Sequence, residues 1–574
     1  MLQPRLTFPL LLLIMLSAVF DPRDPAWSEV SKFKADRALK LDAAPSPELG
    51  APDPLAPKPV DGPAPLAPGA PAAVTGQAPS PLGDADATVV LVRQRLATAT
   101  PPKGLGGHAD LAAVVAYNAA HVQPVWTSKT GFTARGQLVI DEIARANDWG
   151  LNASAFEVPK LADASPTTEA LAEAEIKLAL AVVKYARHAR GGRFDPSSVS
   201  RKFDQQPVIY DPKSVLEAIA VADAADVYLQ GLHPKHPQFE RLRQALMVER
   251  RAPATTAAIT KQGSFNKQLL VVNMERWRWM PPDLGPFYVW DSIPDQMTSV
   301  IADGKVLMSE KIVVGKLSSP TPVFSADMQF VIFHPSWGVP QGMKANELAP
   351  KLRDTGGGWF SSKPLASAVL RAQGLQVTRG GVAIDPDSVE WANADIGNYD
   401  FTQGPGPTNV LGVVKFRFPN KHDVYMHDTP ERHLFGGSVR AFSHGCMRVQ
   451  NPLHLAEVLL THDKGWTPEK IKEVARQGIE VTLTTAIPVH VTYFTVVVDD
   501  AGTVVTRPDI YGLDSRVASA LEGHEVQVVT NKIGRIEGAA FSSRAPRQKA
   551  KSRQNAAMAP DTSPFDPFKS LFGE

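Results

Sequence analysis

The stretch Arg440-Ala-Phe-Ser-His-Gly-Cys-Met-Arg448 contains the single cysteine of this 574-residue chain, Cys446. A thiolate, not a thiol, is the nucleophile, and it forms when a nearby imidazole takes the proton or a positive charge lowers the thiol pKa. His427 and His444 are the candidate imidazoles, and Arg448 is the candidate charge. Gly445 removes a side chain beside the sulfur and permits unusual backbone angles. That suits backbone N–H groups converging on a developing oxyanion. Other readings compete residue by residue. A lone cysteine is commonly an inert buried thiol. His427, His433, His444 and Cys446 could bind zinc, although His-x5-His-x10-His-x-Cys fits none of the common structural patterns. Arg448 could be a surface charge or a structural salt-bridge partner.

Such residues need elements to hold them. Gly412-Val-Val-Lys-Phe-Arg-Phe418, the turn Pro419-Asn-Lys-His-Asp423 and Val424-Tyr-Met-His427 read as a hairpin ending on the histidine. Cys446 follows in a glycine-containing loop, and Asn451-Pro452 reads as the cap of a helix over 453–460. Loops on a rigid scaffold are where catalytic groups usually lie. Upstream, Gln268–Asn273, Phe287–Trp290, Lys305–Met308, Lys311–Val314 and Phe330–Phe333 are short β-rich runs, with Asp303-Gly304 as a hairpin turn. Residues 340–405 interrupt the strands with mixed, glycine-rich sequence and read as an insertion. From about 88 to 250 the pattern is helical. Leu171, Ala174, Leu178, Val182 and Tyr185 form one buried face behind a Ser165-Pro166 start, and helices are expected over 110–120, 136–147, 213–225 and 238–249. The fold class expected is α+β and multidomain: an all-α domain before a mainly-β domain with an inserted subdomain.

The rest of the chain sets the context. Apolar residues are 44% and charged residues 21%, with a net charge of +1, so nothing electrostatic argues for nucleic acid as a partner. The N-terminus reads MLQPRLTFPLLLLIMLSAVF, a secretory signal or an uncleaved anchor that would tether the chain to an inner membrane. A thiol in an oxidising compartment is a hazard, tolerated where it is buried or needed. Residues 43–84 are dominated by Pro, Ala and Gly and read as an extended spacer. Arg544, Arg547, Lys549, Lys551 and Arg553 mark a basic, solvated tail.

The residues around the thiol resemble a known family. Tyr425-Met-His427-Asp-Thr-Pro430, then 15 residues between His427 and Ser443, then Ser443-His-Gly-Cys-Met-Arg448 is similar to the signature of the L,D-transpeptidases: a histidine, 14 to 17 residues, and Ser/Thr-His-Gly-Cys-x-Arg. Val272–Trp279, Val314-Gly-Lys316 with Thr321–Phe324, Phe333–Trp337, Gln403–Gly412, and Thr492–Thr495 with Asp509–Tyr511 resemble the family's large branch, in which a helical scaffold domain precedes the catalytic one. Tyr117 to Trp126 and Asn147–Leu151 resemble the opening of that scaffold. The likeness runs from about 100 to 515. The small peptidoglycan-binding module common in that branch has no room here, because only 251–263 lies between the two parts. The expected division is a signal peptide or anchor over 1–20, a linker over 21–87, a scaffold domain over 88–262, a catalytic domain over 263–515 with a lid insertion at about 340–405, and an extension with a tail over 516–574.

The resemblance implies a cysteine-dependent acyltransferase of the periplasm. It would act in cell-wall organisation and cell shape, and be open to carbapenem inhibitors. It implies His427 as base, Cys446 as nucleophile, and Gly445, Cys446 and His444 around the oxyanion. Peptidoglycan stem peptides would be donor and acceptor, joined 3→3 through a thioester. The same acyl-enzyme could pass to water, giving a carboxypeptidase or hydrolase, or to a protein amine, anchoring outer-membrane proteins. A non-catalytic wall-binding protein is a further alternative. Ser443 and Arg448 are expected to shape the loop and meet substrate carboxylates, and Trp337, Trp359 and Tyr399 to line the donor path. Neither cofactor nor metal is expected. Asp428 is a poor triad acid, because neighbouring strand residues point to opposite faces. In the family a backbone carbonyl commonly orients the histidine instead.

Overall fold

A computed structural model describes residues 85–161, 165–251, 261–356, 362–524 and 526, with side chains omitted over 261–266, all within the compact unit Pro79–Glu574. The expected signal segment, the linker to residue 84, Trp359 and the basic tail lie outside the described residues. No helix among the described residues is long and apolar enough to cross a membrane.

The first part is helical. Helices α1 (Ala87–Leu96), α2 (Gly107–Ala120), α3 (Ala134–Ala144) and α5 (Pro212–Val221) pack around the long α4 (Thr168–Ala189). Leu178, Val182, Tyr185 and Ala186 of α4 are buried in their shared core, at the spacing that gives a helix one apolar face. The cap of α4 is Thr167, whose side chain accepts from Ala170 N–H, so the helix starts two residues beyond the expected Ser165-Pro166. Helix α6 (Ala225–Gly231) and α7 (Pro237–Arg251) follow.

Gln268–Asn273 is not a strand. It lies inside α8 (Lys261–Trp279). A short apolar run cannot be assigned by periodicity alone. Tertiary contacts decide here: the helix puts Asn273 and Arg276, three residues apart, on one face. Asn273 Oδ1 accepts from Thr495 N–H at 2.9 Å, and Arg276 Nη1 reaches Asp514 at 2.6 Å.

The β-part is a ring. Strands β1 (Phe287–Ser292), β2 (Met297–Ala302) and β3 (Lys305–Gly315) form a meander. Then come β4 (Phe324–Phe333), four strands of the insertion, β9 (Val414–Arg417), β10 (Met426–His427), β11 (Ala441–Ser443), β12 (Met447–Val449) and β13 (Glu480–Thr492). The spatial order is β11-β3-β12-β10-β9-β4-β13-β1-β2, and β2 also pairs with β3, which closes the sheet. The long β3 makes this possible: its first residues pair with β2 and its last with β12 and β11. Closure pairs the outer side of β2, which would otherwise be an exposed sheet edge that invites aggregation, and leaves the three-residue β11 with a single neighbour. Val331, Phe333, Val414, Phe416, Met426, Met447 and Val449 fill the interior, with helix α9 (Pro452–Lys464) against them through Leu455, Leu459 and Leu460. Asn451 does precede α9, but its amide donates to Glu310 at 2.8 Å instead of capping the helix.

The insertion has its own sheet, β5 (Trp337–Gly338), β8 (Asp400–Gln403), β6 (Gln376–Arg379) and β7 (Val382–Ala383) in spatial order, and its own core including Leu348, Leu352, Leu370 and Phe401. A π-helical turn at Lys344–Leu348 faces the ring, anchored by Lys344 Nζ donating to Tyr399 O at 2.8 Å.

Candidate active site

Alternation along the strands places the site. Met426 and Met447 are fully buried in the ring, so His427 and Arg448 point to the opposite face, where the register sets them side by side. The turn Phe418–Tyr425 that delivers His427 is braced by Asn420, whose amide donates to the carbonyls of Phe418 and Val424, both at 2.7 Å.

Cys446 is a free thiol in the loop between β11 and β12. Gly445 has φ +119, a backbone angle that L side chains rarely adopt. Its N–H donates to Ser443 Oγ at 3.1 Å, and its carbonyl accepts from Thr321 Oγ1 at 2.8 Å. Ser443 Oγ in turn donates to Cys446 O at 2.5 Å. Thr321 Oγ1 also accepts from Gly315 N–H, which ties the loop to the end of β3. At the other end, Arg440 holds the β1–β2 turn through Gln296, with Nη2 2.9 Å from its carbonyl. The loop is therefore clamped at three points.

His427 is 4% exposed. Its Nδ1–H donates to the Asp428 carbonyl at 2.5 Å, which leaves Nε2 as the basic nitrogen. The Asp428 carboxylate faces away, accepting from Val413 N–H at 2.8 Å and Arg432 at 2.5 Å. It is a structural group, as strand alternation requires. Burial, and then the Arg448 guanidinium, push the His427 imidazole down to about 3. Burial pushes the Cys446 thiol up to about 11, opposed by a hydrogen bond from Tyr425 N–H and by the Lys415 charge. The resting pair is therefore a neutral thiol and a neutral imidazole. Arg448 Nη1 is bound to Glu431 at 2.6 Å.

These groups line a cavity of about 290 Å3, shared by Trp337, Met343, Glu347, His422, Tyr425 and Ser443 among others. Two of its histidines are paired with carboxylates. His444 Nε2 lies 2.8 Å from Glu347 Oε1 on the π-helical turn of the insertion. Burial works against the Glu347 carboxylate, but the hydrogen bond and charge of His444 hold it below the usual range. His422 Nε2 lies 2.9 Å from Asp204, which belongs to the helical part. Phe203 and Val323 form an isolated parallel bridge there, and Asp204 N–H donates to Val323 O at 2.9 Å.

Most of the expected residues meet here: Cys446, His427, His444, Gly445, Ser443, Arg448 and Trp337 are in or beside the cavity. Tyr399 is not. It is packed in the insertion's core against Trp391 and is only 8% exposed, because the aromatic pair is what that small core is built on. Gly445 N–H is already committed to Ser443, so the glycine serves loop conformation and not the oxyanion. His433 lies on the turn Arg432–Gly436, and no group of three or more His, Cys, Asp or Glu residues among the described ones is arranged to hold a metal. Glu347, His422, Lys415 and Asp204 were missed. Only Lys415 and His422 carried a signal, as members of the hairpin that presents His427.

Residues 112–246 match the family model of the scaffold domain, and residues 286–491 match that of the L,D-transpeptidase catalytic domain. A curated protein of Haemophilus influenzae, named "Putative L,D-transpeptidase", is 29% identical over 261 residues, 45% of this chain and 50% of that protein. The chain thus matches about half the length of that relative. Among solved structures, an L,D-transpeptidase from Mycobacterium smegmatis is 16% identical, over 36% of this chain and 58% of that one, with a TM-score of 0.16. An LD transpeptidase in complex with imipenem has the same identity and score over 36% and 59%. At such scores the likeness adds nothing to what the strand order shows.

Proposed function

From a chain whose residues 286–491 belong to the L,D-transpeptidase family, behind a scaffold domain, we propose that the protein forms 3→3 crosslinks between peptidoglycan stem peptides through a Cys446 thioester. The observation that carries this is the His427 imidazole, locked by the Asp428 carbonyl with Nε2 left basic, in one roofed cavity with the chain's only thiol. A neutral pair suits the chemistry. His427 takes the Cys446 proton as sulfur attacks the carbonyl of the third stem residue. The Cys446 N–H and His444 face the resulting oxyanion. The imidazolium so formed then acts as general acid and gives the proton to the departing D-alanine amine. The side-chain amine of a second stem then attacks the thioester, and sulfur leaves with its electron pair. The insertion acts as a lid that limits water, which favours the amine over hydrolysis. The protein would work in the periplasm, exported or tethered by its N-terminal segment.

The test is intact-protein mass spectrometry of the full chain with a diaminopimelate tetrapeptide. A thioester adduct, D-alanine release and crosslinked dimer are expected, all absent from Cys446→Ala. Tripeptide without dimer would replace transpeptidation with hydrolysis. No adduct on a folded, reduced protein would sink the enzyme reading.

A further inference from the structure

The mechanism above leaves one charged group beside the sulfur unused. Lys415 pairs in register with His427 across β9 and β10, and its neighbour Phe416 is fully buried in the ring. Alternation therefore places Lys415 on the face of His427 and Cys446. Its Nζ sits 3.8 Å from the centre of the Tyr425 ring. That is a close cation–π contact on a half-buried ammonium. Tyr425 in turn lines the cavity with Cys446, and its backbone N–H and its hydroxyl both pull the thiol pKa down against burial. Trp337 lines the same cavity, and its indole N–H favours the phenolate form of Tyr425 slightly against burial. An indole N–H is only a donor, so it leaves the phenol proton free to turn to another acceptor in the cavity.

Resting on the cysteine-nucleophile reading, we propose that Lys415 and Tyr425 form a thiolate-holding pair, in which the Tyr425 hydroxyl donates to the Cys446 sulfur and the Lys415 ammonium over its ring supplies the balancing charge. Lys415 is thus a positioning residue that acts on the nucleophile through Tyr425 and through space. The sulfur's lone pair gains its donor when the proton leaves for His427 Nε2. Without the pair, a thiolate there would have only the Tyr425 backbone N–H to favour it. The surrounding charges define the sign. Lys415 is also faced by Asp423, Arg417, Glu480 and His427. The sulfur also faces Asp423, and His422, His444, Glu347 and Arg448 line the same cavity. Asp423 opposes the thiolate, whereas Lys415 favours it.

The experiment follows iodoacetamide alkylation of Cys446 in the full chain against pH, by mass spectrometry. In Lys415→Met the alkylation midpoint is expected to rise by about one unit, so that alkylation below the midpoint slows about tenfold. Lys415→Arg restores most of it, and Asp423→Asn moves the midpoint down. Tyr425→Phe keeps the ring under the ammonium and removes only the hydroxyl, so it decides the matter even where Lys415→Met fails to fold. It too should raise the midpoint. Unchanged midpoints in Tyr425→Phe and in folded Lys415→Met would overturn the proposal, as would a fall in either. The readout needs no peptidoglycan. A wild type with this profile that forms no thioester from tetrapeptide would refute the proposed reaction and leave the pair standing.

Discussion

Replacing Gly445 by alanine tests whether the loop's conformation, and not the space around it, is what the nucleophile depends on. A Cβ at Gly445 would meet nothing closer than Pro320 O and Val424 Cγ2, both at 3.9 Å, which is ordinary contact. The cost is therefore conformational. At φ +119 an L-residue costs about 1–3 kcal/mol. Two hydrogen bonds hold that peptide, to Ser443 Oγ and from Thr321 Oγ1. Each contributes about 0.5–1.5 kcal/mol, so together about 1–3 kcal/mol. Strain and restraint are matched, and the alanine loop is expected to spend much of its time released. Stability in urea should fall by no more than about 2 kcal/mol, because a released loop no longer carries the strain. Acylation should suffer more, since displacing a reacting atom by about 1 Å can cost about a hundredfold. The assay is the rate of carbapenem adduct formation by mass, with the unfolding midpoint measured on the same sample. Wild-type acylation together with wild-type stability would refute the reasoning. A stability loss with unchanged acylation would show that the clamps hold the loop against the strain.

Other outcomes follow from the same geometry. Ser443→Ala removes both hydrogen bonds of that hydroxyl and leaves Gly445 N–H without its acceptor. A loss of about 2 kcal/mol in urea unfolding is expected, with slower acylation. Glu347→Gln weakens the bond to His444 that holds the lid turn to the catalytic loop. The ratio of hydrolysed to crosslinked product should rise several-fold, and an unchanged ratio would remove the lid from the mechanism. Gly412→Ala drives a Cβ into the Asp428 carboxylate, so the orientation of the neighbouring carbonyl, and with it the rate of acylation, should be lost ahead of the fold. Burial keeps His427 and His188 neutral in the fold, with values near 3 and 2, while the unfolded chain protonates both below about 6.5. The unfolded state binds more protons in that window. Stability is thus whole above pH 6.5 and falls as the pH drops toward the folded values, by about 2 kcal/mol per histidine at pH 5. A flat unfolding free energy between pH 7 and 5 would contradict it.

The chemistry was legible locally because nucleophile chemistry lies in side-chain type and short spacing. Cys446, His427, Ser443-His444-Gly445 and Arg448 stand within 22 residues, and a hairpin followed by a tight loop brings them together whatever surrounds it. The same locality shows Asp428 to be no triad acid, since alternation is a property of any strand. What fails is whatever depends on partners far along the chain. Gln268–Asn273 reads as strand by composition, yet is helix because Thr495 and Asp514 sit where Asn273 and Arg276 can reach them. Tyr399 is core because Trp391 packs on it. Glu347 and Asp204 reach the cavity across 97 and 218 residues of chain, to His444 and His422. Lys415 stood in plain view in the hairpin, but only pairing in register, with Tyr425 folded beneath its ammonium, puts its charge beside the sulfur. The sequence by itself determined which atoms react. The tertiary structure alone decided their protonation, because burial and the nearby Arg448 and Lys415 charges are sums over the whole fold.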